Sequence, residues 1–404
     1  MIYAAVMGYG TIGSGVAEVL DRNRDVISAR TGEEIQVKYI LDLREFPGDP
    51  NEDKLIHDFS VIEKDEEIGI VVEAMGGVRP AYDFAKACLL AGKHVVTSNK
   101  ALVAAHGTEL LSIARQKNLN FLFEASAGGG IPIIRPLTEA LAGEKILEIS
   151  GILNGTTNYI LTKMDREGQT FEEALRKAQE LGYAERNPEA DVEGFDTCRK
   201  IAILTALATG KEIHYEDVYT EGITAVTDTD FQYAAKFQAS IKLFGSSRME
   251  DGRVTVFVCP MMIPQVNPLY CVSDVYNAVM VKGNMVGTLM FYGSGAGKLP
   301  TASAVVADIM EIAGNMDRNI PMGWSDERQE LSPVTEARFS YFLRVEGRLE
   351  EKRAEIEAAF GPSRFAELPG MDEFAVLTGE MTEEHYRKGS AAFGDIRQMI
   401  RAQI

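Results

Sequence analysis

The sequence predicts an α/β protein: a doubly wound parallel sheet, then a larger α+β region, then a small α+β tail. Three observations predict it. Apolar strands alternate with helical stretches of ten or more residues up to about residue 130, the pattern of βαβ units. A glycine-rich turn, GYGTIGSG (8–15), joins the first strand to the first helix. After residue 131 the period changes: helices dominate 155–210, and later stretches alternate apolar and polar residues as half-buried strands do.

Element by element, IYAAVM (2–7) reads as a strand and 11–22 as the helix after it. IQVKYILD (35–42) is the second strand, followed by a charged loop at 44–67. IGIVVEAM (68–75) is a continuous apolar run, as in strands covered on both faces. A helix starts near Pro80, HVVT (94–97) is a strand, 100–117 a helix and NFLFE (120–124) a strand. VTVFVCPMMI (254–263), YNAVMVKG and NMVGTLMFYG (276–293) suggest an antiparallel sheet, and 297–315 a returning helix. The expected domains are therefore 1–130, completed by 298–320; 131–297, for substrate binding and dimerisation; a charged linker at 321–338; and 339–404, read as strand, helix, strand, helix.

The net charge of −19 argues against nucleic acid or an anionic membrane as partner, because phosphate neutralisation needs excess Lys and Arg. No apolar run reaches the roughly 20 residues that span a bilayer. The chain starts directly in a strand, without a basic leader. Cys88, Cys198, Cys259 and Cys271 lie far apart with no C-x-x-C pair, which suggests neither a zinc site nor a disulfide framework. The expected setting is the cytoplasm.

GYGTIGSG holds G-x-G-x-x-G at Gly8, Gly10 and Gly13. In a strand–turn–helix context this is the dinucleotide fingerprint of a Rossmann-type sheet: a tight turn, a backbone open to a pyrophosphate, and close helix–strand packing. Thr11 and Ile12 complete the loop. Asp42, ending the second strand, suits a ribose hydroxyl and hence NAD; Arg44, two residues on, suits the 2′-phosphate of NADP. In VVTSNKALV (95–103), Ser98 and Lys100 stand at a strand's carboxyl end, where open parallel sheets bind ligands. FEASAGGGIP (123–132) is a turn that fits either a monovalent cation on backbone oxygens or a plain tight connection. YGSGAGKLPTASAVVADI (292–309) is a second glycine-rich helix start, suited to a lid over the cofactor.

The segment 182–200, GYAERNPEADVEGFDTCRK, combines Glu185, Asp196 and Lys200. A helix is expected over about 192–209 with Asp191 as its N-cap. Asp196 and Lys200, four apart, share one helix face. The carboxylates suit a substrate ammonium group, and a partly desolvated lysine suits proton transfer; a solvated ion pair is the plain alternative.

In this order, GYGTIGSG, TSNKALV, EASAGGGIPII, GILNGTTNYIL, GYAERNPEADVEGFDTCRK and GSGAGKLPTASAVVADI resemble the homoserine dehydrogenase family through about residue 320. The resemblance implies reversible NAD(P)-dependent oxidation of L-homoserine to L-aspartate 4-semialdehyde, in a homodimer or homotetramer. It makes Lys200 the acid/base, Glu185 and Asp196 the substrate ligands, Lys100 a neighbour of nicotinamide and substrate, and Gly297 a cofactor contact. It also implies sodium held by backbone oxygens of Glu124, Ala127, Gly129 and Ile131. The tail resembles an ACT domain, an amino-acid-sensing module, but the D-R-P-G turn of such domains is replaced by EGRLEEK (346–352). Two other readings are an aspartate-semialdehyde dehydrogenase, which requires a nucleophilic cysteine, and a non-catalytic sensor of NAD(P) and amino acids.

Overall fold

Ile2–Met7 (β1) is buried along its last four residues and has a parallel partner on each side. The partners are Ile35–Leu41 (β2) and Ile68–Glu73 (β4). Leu55–Ile56 (β3), His94–Thr97 (β5) and Phe121–Leu122 (β6) complete a parallel sheet in the order β3-β2-β1-β4-β5-β6. The strand order reverses at β1, so the ligand crevice of such a sheet lies off the carboxyl ends of β1 and β4. The computed structural model describes residues 1–404, the side chain of Ala392 excepted.

The segment 44–67, expected as a charged loop, contains β3 and the helix Phe59–Lys64. Asp58 starts that helix by accepting a hydrogen bond from the Ser60 amide at 2.9 Å. A two-residue strand and a six-residue helix are too short to show a period among charges.

The chain forms two compact units. The first comprises Met1–Ile146, Ala202–Glu216 and Gly283–Gln329; the second comprises Leu147–Ile201, Asp217–Lys282 and Glu330–Ile404. The first unit thus extends beyond the expected 1–130 and 298–320, and takes in β12 (Gly287–Ser294).

The second unit is built on a mixed sheet. Its strands are Ile146–Ile152 (β7), Tyr219–Thr220 (β8), Ala239–Glu250 (β9), Arg253–Pro264 (β10) and Tyr276–Gly283 (β11), then Arg338–Glu346 (β13), Ser363–Glu367 (β14), Glu373–Thr378 (β15), Met381–Thr382 (β16) and Ile396–Ala402 (β17). They run β11-β7-β9-β10-β17-β13-β15-β14, with β8 beside β10 and β16 beside β13. The 254–263 stretch therefore pairs with β9 rather than with 276–283. β9 breaks the expected alternation because Lys242, Ser246 and Ser247 are all buried.

Residues 330–404 do not stand apart as a third unit. They form β13, the helix Leu349–Phe360, β14, β15, the helix Glu383–Ala392 and β17, a βαββαβ arrangement with two strands more than the sequence suggested. β17 continues the sheet through parallel pairing with β10, Met261 opposite Arg401. Phe339, Tyr341 and Leu343 of β13 share one core with Phe257, Cys259 and Met261 of β10.

Candidate active site

Two constellations carry the chemistry, one in each unit. In the first, Gly8 adopts φ +92° after β1, and the helix Thr11–Arg22 begins with no side-chain cap at Gly10. Its first amides are thus left for a ligand, and the helix dipole favours an anion there. A Cβ on Gly13 would lie 1.9 Å from the Gly8 carbonyl oxygen, so the turn requires glycine at that position. A Cβ on Gly10 would meet only the Arg44 guanidinium, at 4.0 Å. The backbone beside Gly10 is open, as close approach of a pyrophosphate requires, and Thr11 and Ile12 form the first helical residues behind it.

Asp42 and Arg44 are bound to each other. Arg44 Nε and Nη2 each donate to the Asp42 carboxylate at 2.9 Å, and the Tyr9 amide donates to the same carboxylate at 2.8 Å. The Arg44 guanidinium holds the Asp42 carboxyl well below the usual carboxylate range. Ser98 is half-buried at the end of β5, and Lys100 is the first residue of the helix Lys100–Gln116. Asn99 caps that helix through the Leu102 amide at 3.2 Å and donates to the Gly77 carbonyl at 2.6 Å.

Behind these strand ends lies Glu73, which the sequence did not single out. It is fully buried, accepts from the Thr97 hydroxyl at 2.5 Å and from the Met75 amide at 2.8 Å, and burial pushes its carboxyl up. As the last residue of an apolar strand it offered no periodic signal.

The loop 124–131 is buried at Glu124, Ala127, Gly129 and Ile131. The Glu124 carboxylate accepts from the amides of Ile133, Ile134 and Arg135 at 2.6, 2.8 and 2.7 Å. The Glu124 amide donates to Asp308 at 2.8 Å, and Asp308 also receives Arg135 Nη2 at 2.8 Å. Full burial pushes the Asp308 carboxyl up to about 8. Asp308 lies on the helix Lys298–Ala313, whose N-terminal neighbour Gly297 has φ +116°. A Cβ on Gly129 would lie 2.1 Å from the Gly295 carbonyl oxygen, so the two glycine-rich segments pack backbone against backbone. The Ser126 hydroxyl is buried in this loop without a hydrogen-bond partner, an open position beside the backbone oxygens.

In the second unit, the expected helix of about 192–209 is two helices, Glu189–Val192 and Phe195–Thr209, separated at Gly194 with φ +83°. Asp191 is therefore not the N-cap; its carboxylate accepts from Asn154 Nδ2 at 2.7 Å. The same Nδ2 donates to Asp196 Oδ2 at 2.9 Å. Lys200 Nζ lies 2.9 Å from Asp196 Oδ2 and donates to the Leu153 carbonyl at 2.7 Å. The Lys200 and Asp196 side chains are 10% and 6% exposed, which removes the solvated surface pair as an explanation. Glu185 stands on the exposed segment after the helix Phe171–Glu180, its carbonyl accepting from Gln179 at 3.1 Å.

Asn154 is the residue missing from the sequence reading. Its Oδ1 caps the helix Gly155–Glu167 through the Thr157 amide at 2.8 Å while its Nδ2 bridges two carboxylates. The only local signal was an asparagine before a helix, which reads as a cap and nothing more.

Two family models match the chain: the homoserine dehydrogenase NAD-binding domain over residues 8–124 and the homoserine dehydrogenase domain over residues 132–310. A homoserine dehydrogenase of Bacillus subtilis (strain 168) is 36% identical over 415 residues, covering 99% of this chain and 94% of that protein. The crystal structure of a homoserine dehydrogenase from Thiobacillus denitrificans superposes with a TM-score of 0.90 at 34% identity, covering 100% of this chain and 98% of that one. A hyperthermophilic archaeal homoserine dehydrogenase mutant in complex with NADPH matches with a TM-score of 0.65 at 28% identity, covering 77% of this chain and 97% of that one. Models spanning both units and relatives matching nearly end to end lead to one conclusion: the chain belongs to the homoserine dehydrogenase family.

Proposed function

We propose that this chain interconverts L-homoserine and L-aspartate 4-semialdehyde with NAD(P), with Lys200 as the proton donor and acceptor. The observation that carries the reading is the buried Asn154–Asp196–Lys200 cluster, in which a lysine amine is aimed by a carboxylate and a backbone carbonyl. The bound nicotinamide supplies or accepts the hydride. In the reducing direction Lys200 donates a proton to the aldehyde oxygen, and its positive charge stabilises the alkoxide as it forms. Asp196 orients the lysine and, with Glu185 on the exposed segment, offers negative charge to the substrate ammonium group. Lys100 adds a cation at the end of β5. Gly8, Gly10 and Gly13 hold the pyrophosphate, and Thr11, Ile12, Ser98 and Gly297 complete the cofactor contacts.

Sodium fits the 124–131 loop, held by backbone oxygens of Glu124, Ala127, Gly129 and Ile131 as a structural ion. The buried loop and the unpartnered Ser126 hydroxyl support this. The βαββαβ tail, in the order β17-β13-β15-β14, supports an ACT-like module. Exposed Met285, Val286, Met290 and Tyr292 in and beside β12 favour a homodimer or a higher homo-oligomer. Among the described residues no helix is long and apolar enough to cross a membrane, in keeping with a cytoplasmic setting.

Acyl-enzyme chemistry finds no support, because burial pushes the Cys88 and Cys259 thiols up to about 12, against the thiolate that such a step needs. Absorbance at 340 nm with homoserine and NAD or NADP tests the activity, and a chain inert with both cofactors overturns it. Lys200→Ala is expected to lower turnover about 100-fold or more with little change in cofactor KM. Near-normal turnover in that variant removes Lys200 from the mechanism.

A further inference from the structure

Arg401, three residues from the C-terminus, is the largest fully buried side chain among the described residues. Nothing in the reaction calls for a guanidinium there. It spans the junction between the tail and the segment that follows β8. Its Nε and Nη2 donate to the Glu383 carboxylate at 2.8 and 3.0 Å, its Nη1 donates to Glu221 at 2.6 Å, and its Nη2 also donates to the Tyr219 hydroxyl at 3.0 Å. The guanidinium carbon lies 4.9 Å from the Tyr219 ring centre. Tyr219 in turn donates to Glu221 at 3.1 Å, so the tail grips residues 219–221 from two sides.

Those residues lie directly against the entrance to the lysine-bearing helix. The Glu221 amide donates to Val258 and the Ile223 amide donates to Val192, both at 2.8 Å. Gly222 sits between them, so close to the 192–193 backbone that a Cβ would lie 2.3 Å from the Val192 carbonyl oxygen. Two residues on, the Gly194 carbonyl accepts from the Cys198 amide at 2.9 Å and opens the helix Phe195–Thr209 that carries Asp196 and Lys200. Gly194 itself packs on Thr220 and Val258, where a Cβ would approach both side chains within 3.2 Å. A continuous set of contacts, all inside the second unit, thus runs from the last strand of the chain to the first turn of the catalytic helix.

We propose that the tail positions the catalytic lysine: Arg401, through Glu221, fixes the 191–194 turn and thereby the placement of Asp196 and Lys200. Arg401 and Glu221 are positioning residues and touch neither substrate nor cofactor. The proposal rests on the assignment of Lys200 as proton donor. A displacement of about 1 Å in a reacting group lowers turnover up to a hundredfold, so a modest relaxation of the turn is measurable.

The test compares the full-length chain with Glu221→Ala, Glu221→Gln and Arg401→Lys in homoserine oxidation, with separate kcat and KM values for homoserine and for the cofactor and a thermal melt of each. Glu221 is partly exposed, so its variants remove no core side chain. Glu221→Ala and Arg401→Lys are expected to lower kcat/KM for homoserine about tenfold or more while cofactor KM changes by less than about twofold. Glu221→Gln keeps an acceptor for Arg401 Nη1 and restores most of the activity. Wild-type homoserine kinetics in Glu221→Ala overturns the proposal. So does a matching loss for homoserine and cofactor accompanied by a lower melting temperature, which marks general destabilisation. A loss in Glu221→Gln as deep as that in Glu221→Ala counts against it too. Lys200→Ala separates the two readings: if it is inactive while Glu221→Ala is normal, only the role of the tail falls.

Discussion

Arg44 shows how a single pair of side chains sets a preference between two cofactors. Read alone, Asp42 favours a ribose hydroxyl and Arg44 a phosphate; in the fold they neutralise each other through two 2.9 Å bonds. The guanidinium thus remains at the strand end in either case, while the carboxylate is masked. Arg44→Ala exposes the bare carboxylate, which accepts from a 2′-hydroxyl and repels a 2′-phosphate. The ratio of kcat/KM for NAD over NADP should rise about tenfold or more, the equivalent of one lost charge-assisted hydrogen bond. An unchanged ratio would show that Arg44 does not face the adenosine ribose. Both residues were visible in the sequence, but their mutual bond was not, because a D-x-R spacing does not say which way a long side chain turns. Lys200 and Asp196 were legible from helix spacing. Asn154 was not, since its value comes from two carboxylates 37 and 42 positions away.

At the level of elements, legibility followed burial. The strands β1, β2, β4 and β5 are short apolar runs and stood out, as did the turn after β1. β9 did not, because a strand covered on both faces carries Lys242 at 2% exposure. Its amine donates to the Val272 carbonyl at 2.7 Å and to Asn158 Oδ1 at 3.3 Å, holding the 272–276 turn against the helix Gly155–Glu167. Burial pulls this amine down to about 8, with Asp165 opposing the shift. In an unfolded chain a lysine titrates near about 10.4, so between roughly pH 8 and 10.4 the unfolded state binds more protons. Stability contributed by this group is therefore present above that window and is lost as pH falls through it. Lys242→Met should flatten the rise in unfolding free energy between pH 8 and 10 by about 2–3 kcal/mol at most. Urea unfolding at pH 7, 8, 9 and 10 checks this, and parallel curves for the two proteins would show that Lys242 is charged in the native state throughout.

On the scale of the whole molecule, the charged stretch at 325–338 suggested a boundary where the second unit instead continues. The reason lies in β17, IRQMIRA: two arginines and a glutamine hide a strand whose Arg401 is neutralised by Glu221 and Glu383 and buried. Pattern alone assigns such residues to the surface. The consequence is that 330–404 cannot be removed as a module. Its loss strips β17 from the edge of β10 and takes Phe339, Tyr341, Leu343, Val345, Phe374 and Val376 out of the core that contains Phe257, Cys259 and Met261. Six large apolar side chains at about 1.5–3 kcal/mol each amount to on the order of 10 kcal/mol, comparable with the full stability of a typical domain. A chain ending at Gln329 should therefore aggregate on expression or elute in the void volume on gel filtration, because the bared β10 edge and its apolar face seek partners. A soluble truncated chain with normal homoserine turnover would show that the tail is an appendage, and that the first two-thirds of the sequence already contain a complete core.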